Sequence, residues 1–200
     1  MCLVKKVECK KIAVALTGAS GIRYGLRLVE ALSSIEKVEI AGIMYTENAL
    51  KVAEVEGIKK GNFLKLLKNY GKVYGENDYD SPLASSSSIP DCMVICPASI
   101  KTIGLIANGI PLNLISRAGL AFLRMKRPLA VAFRETPLGS AEIENLLRLS
   151  KLGAIVLPLS PGFYSKPKSI EDLVDFMVGK ILDSLHISNN LYKRWSAEIP

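Results

Sequence analysis

Short apolar runs at residues 12–16, 38–44, 93–96, 129–133 and 154–157 constrain this chain most, because several lack any polar alternation. A strand with no polar side must be covered on both faces, as in a parallel sheet. Between the runs lie segments of helical period at 22–32, 47–55, 99–107, 112–126, 140–152 and 170–185. Strands and helices taken in turn predict an α/β fold, a mostly parallel sheet with helices on both faces. No linker rich in proline and glycine interrupts the series and no internal repeat is visible, so 1–200 reads as a single domain, with an N-terminal extension at 1–10 and a C-terminal tail at 186–200. The polar stretch 71–90, which holds four consecutive serines, reads as one long loop. A loop of that length in a compact domain usually has a function.

Charge narrows the partners only slightly. Lys and Arg outnumber Asp and Glu by 26 to 19, for a net charge of +7. Such a balance suits anionic partners of several kinds, but aromatic residues are only 6% of the chain, too few for base-stacking surfaces. Nucleic acid is therefore not expected as a partner. No apolar run reaches the roughly 18 residues of a membrane helix, and the first residues lack the apolar stretch of a signal peptide. The expectation is a cytoplasmic protein without membrane attachment. Cys2, Cys9, Cys92 and Cys96 show no paired zinc spacing, which predicts buried reduced thiols.

In open parallel sheets ligands bind beyond the carboxyl ends of the strands, so the turns leaving each strand carry the chemistry. The first is Thr17, Gly18, Ala19, Ser20, Gly21. It lacks the glycine spacing of a dinucleotide site and a Walker lysine. Its hydroxyls and the amides of the next helix can receive an anion, or Ser20 simply caps that helix. In the second turn Ser99 is placed to cap a helix whose first turn carries Lys101, a cation that opposes the helix dipole and points to an anion nearby. A third turn brings together Arg134 and Glu135, either as functional groups or as a pair that closes the loop. The fourth presents Phe163 and Tyr164 between prolines. With His186 the only histidine, a zinc hydrolase and a Ser-His-Asp triad are both disfavoured. The remaining groups fit a phosphorylated organic ligand.

Several ordered motifs then resemble one family. LTGASGIRYGLRLVEAL from position 16, SPLASSS from 81, MVICPASIKT from 93, NLISRA from 113, RPLAVAFRETPL from 127, ENLLRLSKLGAIVLP from 144, PGFY from 161 and EDLVDFMVGKIL from 171 are similar to the UbiX/Pad flavin prenyltransferases, formerly described as aromatic acid decarboxylases. The resemblance runs from about Lys11 to Trp195. It implies a Rossmann-like flavoprotein fold, a homododecamer with active sites shared between subunits, and a metal-independent reaction. That reaction moves a dimethylallyl group from dimethylallyl monophosphate to N5 and C6 of reduced FMN. The prenylated FMN then serves a UbiD-type decarboxylase.

By position, the resemblance implies flavin contacts from Gly18, Ala19, Ser20, Ser99, Thr102 and Arg117, with Ser85 and Ser87 close by. It implies substrate-phosphate contacts from Arg124, Arg134, Glu135, Tyr164 and Lys180, with Tyr164 and Trp195 offering π faces to a cation-like allylic carbon. Ser20, Glu135 and Tyr164 are the implied catalytic groups, joined by a glutamate that works with Ser20. Glu54 and Glu56 are its candidates, while the ungapped register puts Val55 there. The chain departs from the family in having Arg124 where many relatives have lysine and Lys180 where many have arginine. Tyr45 and Thr46 stand where relatives have a serine for the flavin phosphate, Thr46 offering the hydroxyl. Two other readings stay open: an FMN carrier without catalysis, and a decarboxylase like the cysteine-decarboxylating flavoproteins. The latter use a histidine after the first helix that is missing here.

Overall fold

A computed structural model describes residues 8–195. Strands β1 (Lys11–Leu16), β2 (Glu39–Tyr45), β3 (Val73–Gly75), β4 (Cys92–Ala98), β5 (Leu129–Phe133) and β6 (Ile155–Pro158) form one sheet in the order β3-β2-β1-β4-β5-β6. Every neighbouring pair is parallel. Chain order reverses between β1 and β4, so the crevice for a ligand opens above these two strands. Helices α1 (Ile22–Ser33), α2 (Glu47–Val55), α3 (Lys60–Lys68) and α7 (Ile170–Ser184) pack on one face, while α4 (Ile100–Ala107), α5 (Leu114–Arg124) and α6 (Ser140–Lys151) pack on the other.

Strand periodicity divides the core accordingly. Ile12, Val14 and Leu16 of β1 enter the first layer and Ala13 and Ala15 the second. On α1 the buried residues Ile22, Gly25, Leu28, Val29 and Leu32 follow the helical repeat. Gly25 is required by contact: a Cβ there would stand 2.3 Å from the carbonyl oxygen of Cys96 on β4. Ion pairs Arg27–Asp175 at 2.6 Å and Arg23–Glu171 at 3.0 Å link α1 to α7 across the surface of this layer.

Three elements depart from the sequence reading. Helix α3 falls in a stretch without an assignment, where only Phe63 and Leu67 mark a buried face. Strand β3 lies inside the stretch read as a continuous loop; its three residues pair with β2 at the sheet edge, too few to show alternation. Helix α5 begins two residues later than expected, because Asn113 caps it by accepting from the Ser116 amide at 2.9 Å. Cys9, Cys92 and Cys96 are buried free thiols, and burial pushes the Cys96 thiol well above the usual range. Cys2 and residues 196–200 of the expected tail lie outside the described residues. Among the described residues, no helix is long and apolar enough to cross a membrane.

Candidate active site

A cavity of about 550 Å³ lies at the carboxyl edge of the sheet above the reversal point. That volume is within the range of organic-ligand sites. The turns after β1 and β4 build its floor. Buried Thr17 joins them, its hydroxyl donating to the Pro97 carbonyl at 2.8 Å and accepting from the Ser99 amide at 2.7 Å. Ser99 caps α4 as expected, accepting from the Thr102 amide at 3.3 Å. Gly18, Ala19, Ser20, Thr46, Ser99 and Thr102 all line this cavity, as do Arg134 and Glu135. Lys101 lines it too, the cation at the start of α4 facing the space where an anion is expected.

Ser20 does not cap α1. The cap is Gly21, with φ of +99°, a left-handed conformation that favours glycine. Of the two candidate glutamates, Glu56 is the one that hydrogen-bonds Ser20, and Glu54 is not. Ser20 Oγ donates to Glu56 Oε1 at 2.9 Å, the Gly21 amide donates to the same oxygen at 2.6 Å, and the Ile22 amide donates to Oε2 at 3.0 Å. Ala49, Leu50 and Ala53 occupy the buried stripe of α2, which leaves Glu54 on the exposed side. The helix ends at Val55, so Glu56 can turn back toward α1. Val55 itself stays 89% exposed at the cavity wall. The anion at the start of α1, expected from a ligand, is therefore the protein's own carboxylate.

Thr46 is buried and caps α2, accepting from the Ala49 amide at 3.1 Å. Its hydroxyl proton remains available to the cavity. Sequence reasoning missed Glu76, whose carboxylate accepts from the Glu47 amide and from Asn113 Nδ2, each at 2.8 Å. Glu76 thereby fixes the starts of α2 and α5 beside the cavity. Asn113, as a capping residue heading a helical run, gave a local signal; Glu76, in a polar loop, gave none. Arg134 and Glu135 do not pair with each other, which removes the loop-closing reading. Glu135 Oε1 instead accepts from the Thr136 amide at 3.0 Å.

A single copy of the chain does not bring all the expected residues together. Arg117 and Ser85 line a separate cleft of about 200 Å³, and Arg124 lies there with them rather than beside Arg134. Arg117 Nε donates to the Ala84 carbonyl at 2.7 Å, while the Ser85 and Ser87 hydroxyls are 2.9 Å apart. A third group forms around α7. Tyr164 packs edge-on against Phe176 at 5.6 Å and Trp195 at 5.3 Å between ring centroids. The Lys180 ammonium stands 5.5 Å from the Phe176 centroid and 5.0 Å from that of Tyr192. Burial lowers the pKa of Lys180, but the neighbouring Tyr192 oxygen, Tyr164 and Asp183 outweigh it, so the pKa ends above the ordinary lysine value. Lys180 is a cation throughout the neutral range.

The sheet order, the two helical layers and a hydroxyl-lined cavity at the reversal point define a doubly wound α/β protein with a ligand site at its switch point, and comparison places it among the flavoproteins. The Flavoprotein family model matches residues 4–182. A flavin prenyltransferase UbiX of Saccharolobus solfataricus is 44% identical over 194 residues, covering 96% of this chain and 94% of its own. The crystal structure of AnUbiX (PadA1) in complex with FMN and dimethylallyl pyrophosphate superposes with a TM-score of 0.87 at 33% identity, covering 94% of this chain and 98% of that one. A dodecameric FMN-dependent UbiX-like decarboxylase from Escherichia coli O157:H7 gives the same TM-score at 29% identity, over 94% and 100%. The chain belongs to the UbiX/Pad-type flavin prenyltransferase family.

Proposed function

We propose that this protein transfers a dimethylallyl group from dimethylallyl monophosphate to N5 and C6 of reduced FMN. The observation that carries the reading is the cavity itself, which sets the Ser20–Glu56 couple on one wall and Arg134 with Glu135 on another. Its size and its hydroxyl, amide and lysine donors fit FMN. Reduced FMN supplies the nucleophilic nitrogen and carbon of the reaction. Thr46, Ser99 and Thr102 present hydroxyls to hold it, and Lys101 adds positive charge at the same edge.

The bond from the allylic carbon to the phosphate oxygen breaks with its electron pair on oxygen, so charge develops on a poor leaving group. Arg134, together with Arg124 and Lys180, supplies the positive field that stabilises it. Glu135 and Tyr164 are the groups that place a proton on the departing oxygen. The proton displaced from N5 goes to Ser20 Oγ and on to Glu56 Oε1, along a contact of 2.9 Å. In the second step the prenyl double bond takes up a proton at its CH carbon, its tertiary carbon bonds to C6, and C6 releases its own proton, so no net proton is consumed. Tyr164 and Trp195 offer ring faces that favour a cation-like carbon. A closed pocket around these groups excludes water that would quench it.

Arg124 and Lys180 lie outside the main cavity of their own protomer, which supports a site completed by neighbouring copies in a homododecamer. The product then passes to a UbiD-type decarboxylase, and the protein works in the cytoplasm without a metal. Anaerobic incubation with reduced FMN and dimethylallyl monophosphate, followed by mass spectrometry of the extracted flavin, tests the reading. Gain of one C5H8 unit is the expected result. Unmodified FMN from protein that binds both ligands, with the diphosphate also tried, would leave a carrier.

A further inference from the structure

Asp183 has no role in the chemistry above, yet it is the most heavily engaged carboxylate near the third group. Its side chain is 24% exposed. It sits one helical turn beyond Lys180 on α7 and takes donors from three residues of the segment that follows the helix. Arg194 Nη1 donates to Oδ2 at 2.8 Å and Nη2 to Oδ1 at 2.7 Å, a bidentate pair. The Tyr192 hydroxyl donates to Oδ2 at 2.5 Å and Asn189 Nδ2 to Oδ1 at 2.9 Å. Withdrawing a carboxylate from water is costly unless its oxygens are satisfied, and here the satisfying donors come from the C-terminal segment. The segment is thus fastened to α7 at one point.

That point controls a closed circuit of contacts. From Asp183 it runs to Tyr192, whose ring packs on Phe176 at 5.0 Å, then to Tyr164, to Trp195, and through the chain to Arg194 and back to Asp183. Lys180 stands over two of the rings. The Tyr192 ring also lies 5.4 Å from the Arg194 guanidinium carbon, so it holds a cation contact to Arg194 as well as to Lys180. The backbone is shaped to admit it: a Cβ on Gly179 would come within 2.4 Å of Tyr192 Cδ1. Lys180, Tyr164 and Trp195 are the three members of the circuit that the proposed function assigns to the prenyl phosphate.

We propose that Asp183 is a positioning residue which, through Tyr192 and Arg194, sets Lys180, Tyr164 and Trp195 for the prenyl phosphate without touching the flavin. The inference rests on the proposed function for its ligand. Its own structural content can be read separately, because Trp195 is the only tryptophan in the chain. The indole is 67% exposed, so its emission wavelength has little room to shift, and its fluorescence anisotropy, which falls when a fastened side chain is released, reports the circuit.

The test uses the full chain with Asp183→Asn, which keeps the shape and loses the charge, Tyr192→Phe, which keeps the ring, and Asp183→Glu as the conservative variant. Three quantities are measured: Trp195 fluorescence anisotropy without flavin, FMN affinity by titration, and affinity of the FMN-loaded protein for dimethylallyl monophosphate by calorimetry. Asp183→Asn is expected to lower the Trp195 anisotropy and weaken the prenyl phosphate about tenfold while FMN affinity stays within about twofold. Tyr192→Phe moves the same readouts less far, and Asp183→Glu restores part of the loss. Unchanged anisotropy in Asp183→Asn and Tyr192→Phe overturns the proposal, as does an equal loss of both ligands, which would mark a role in stability alone. Failure of wild-type transfer with prenyl-phosphate binding intact would remove the proposed reaction and leave Asp183 to be judged by fluorescence and binding. If the wild type does not bind dimethylallyl monophosphate, both readings fall.

Discussion

At the level of single residues, the Ser20–Glu56 couple separates two neighbouring glutamates that sequence alone leaves as alternatives. Glu56 satisfies a hydroxyl and two backbone amides at once, whereas Glu54 is on the exposed side of α2. Glu56→Gln should therefore keep FMN and slow prenyl transfer on the order of a hundredfold, the usual scale for a lost proton acceptor, while Glu54→Gln leaves single-turnover rates unchanged. Equal rates in the two variants would remove Glu56 from the chemistry. Arg134 gives the complementary case. Arg134→Ala should weaken the prenyl phosphate far more than FMN, measured by parallel titrations, since its charge is assigned to the leaving group. Of these residues, Arg134 and Glu135 were legible as a cation and a carboxylate at a strand end. The glutamate partner of Ser20 was not, because helix phase and the point where α2 ends decide it, and a one-residue error moves the wrong side chain into the site.

Among the elements, the long apolar strands were legible because burial on both faces leaves a run that tolerates no polar residue, and β5 was located at its observed bounds, Leu129–Phe133. Strand β3 and helix α3 escaped because each buries too little for a pattern: Tyr74 alone in β3, and Phe63 with Leu67 in α3. The approach of α1 to β4 was equally hidden, since one glycine in a helix has no sequence signature of contact. Gly25→Ala should cost about 1–3 kcal/mol in chemical denaturation, because its Cβ meets a backbone carbonyl that cannot rotate away. At the other end of this layer, burial works against ionisation of Asp183, but donors from Arg194, Tyr192 and Asn189 prevail and hold its pKa below the ordinary value. A depressed folded pKa contributes stability above the ordinary aspartate value of about 3.9, and that contribution is lost as pH falls through the lower value. Besides these donors, Lys180 is the charged group facing it. Trp195 anisotropy should accordingly stay constant from neutral pH to about pH 5 and fall only in stronger acid; a transition near neutrality would assign the attachment to another group.

Across the whole molecule, the residues assigned to one reaction fall into three places on a protomer: the main cavity, the cleft of Arg117 and Arg124, and the circuit around α7. Sequence motifs preserve chain order and say nothing about which copy supplies a residue, so this partition could only come from coordinates. It makes a direct prediction for the assembly. Arg124→Ala and Arg134→Ala proteins, each impaired alone, should recover part of the wild-type prenyl-transfer rate when their subunits are mixed and reassembled, because some sites then receive both native arginines. No recovery in verified mixed oligomers would place both arginines in the site of a single copy.

The buried hydroxyl of Thr17 has a consequence for protein engineering. By bonding to both Pro97 and Ser99, it makes the turns after β1 and β4 one mechanical part. Neither turn is then a module that can be exchanged alone: a graft that replaces residues 17–21 from a distant flavoprotein inherits a partner turn shaped for a different hydroxyl. The smallest transplantable piece of this cavity is the pair, taken together from one donor.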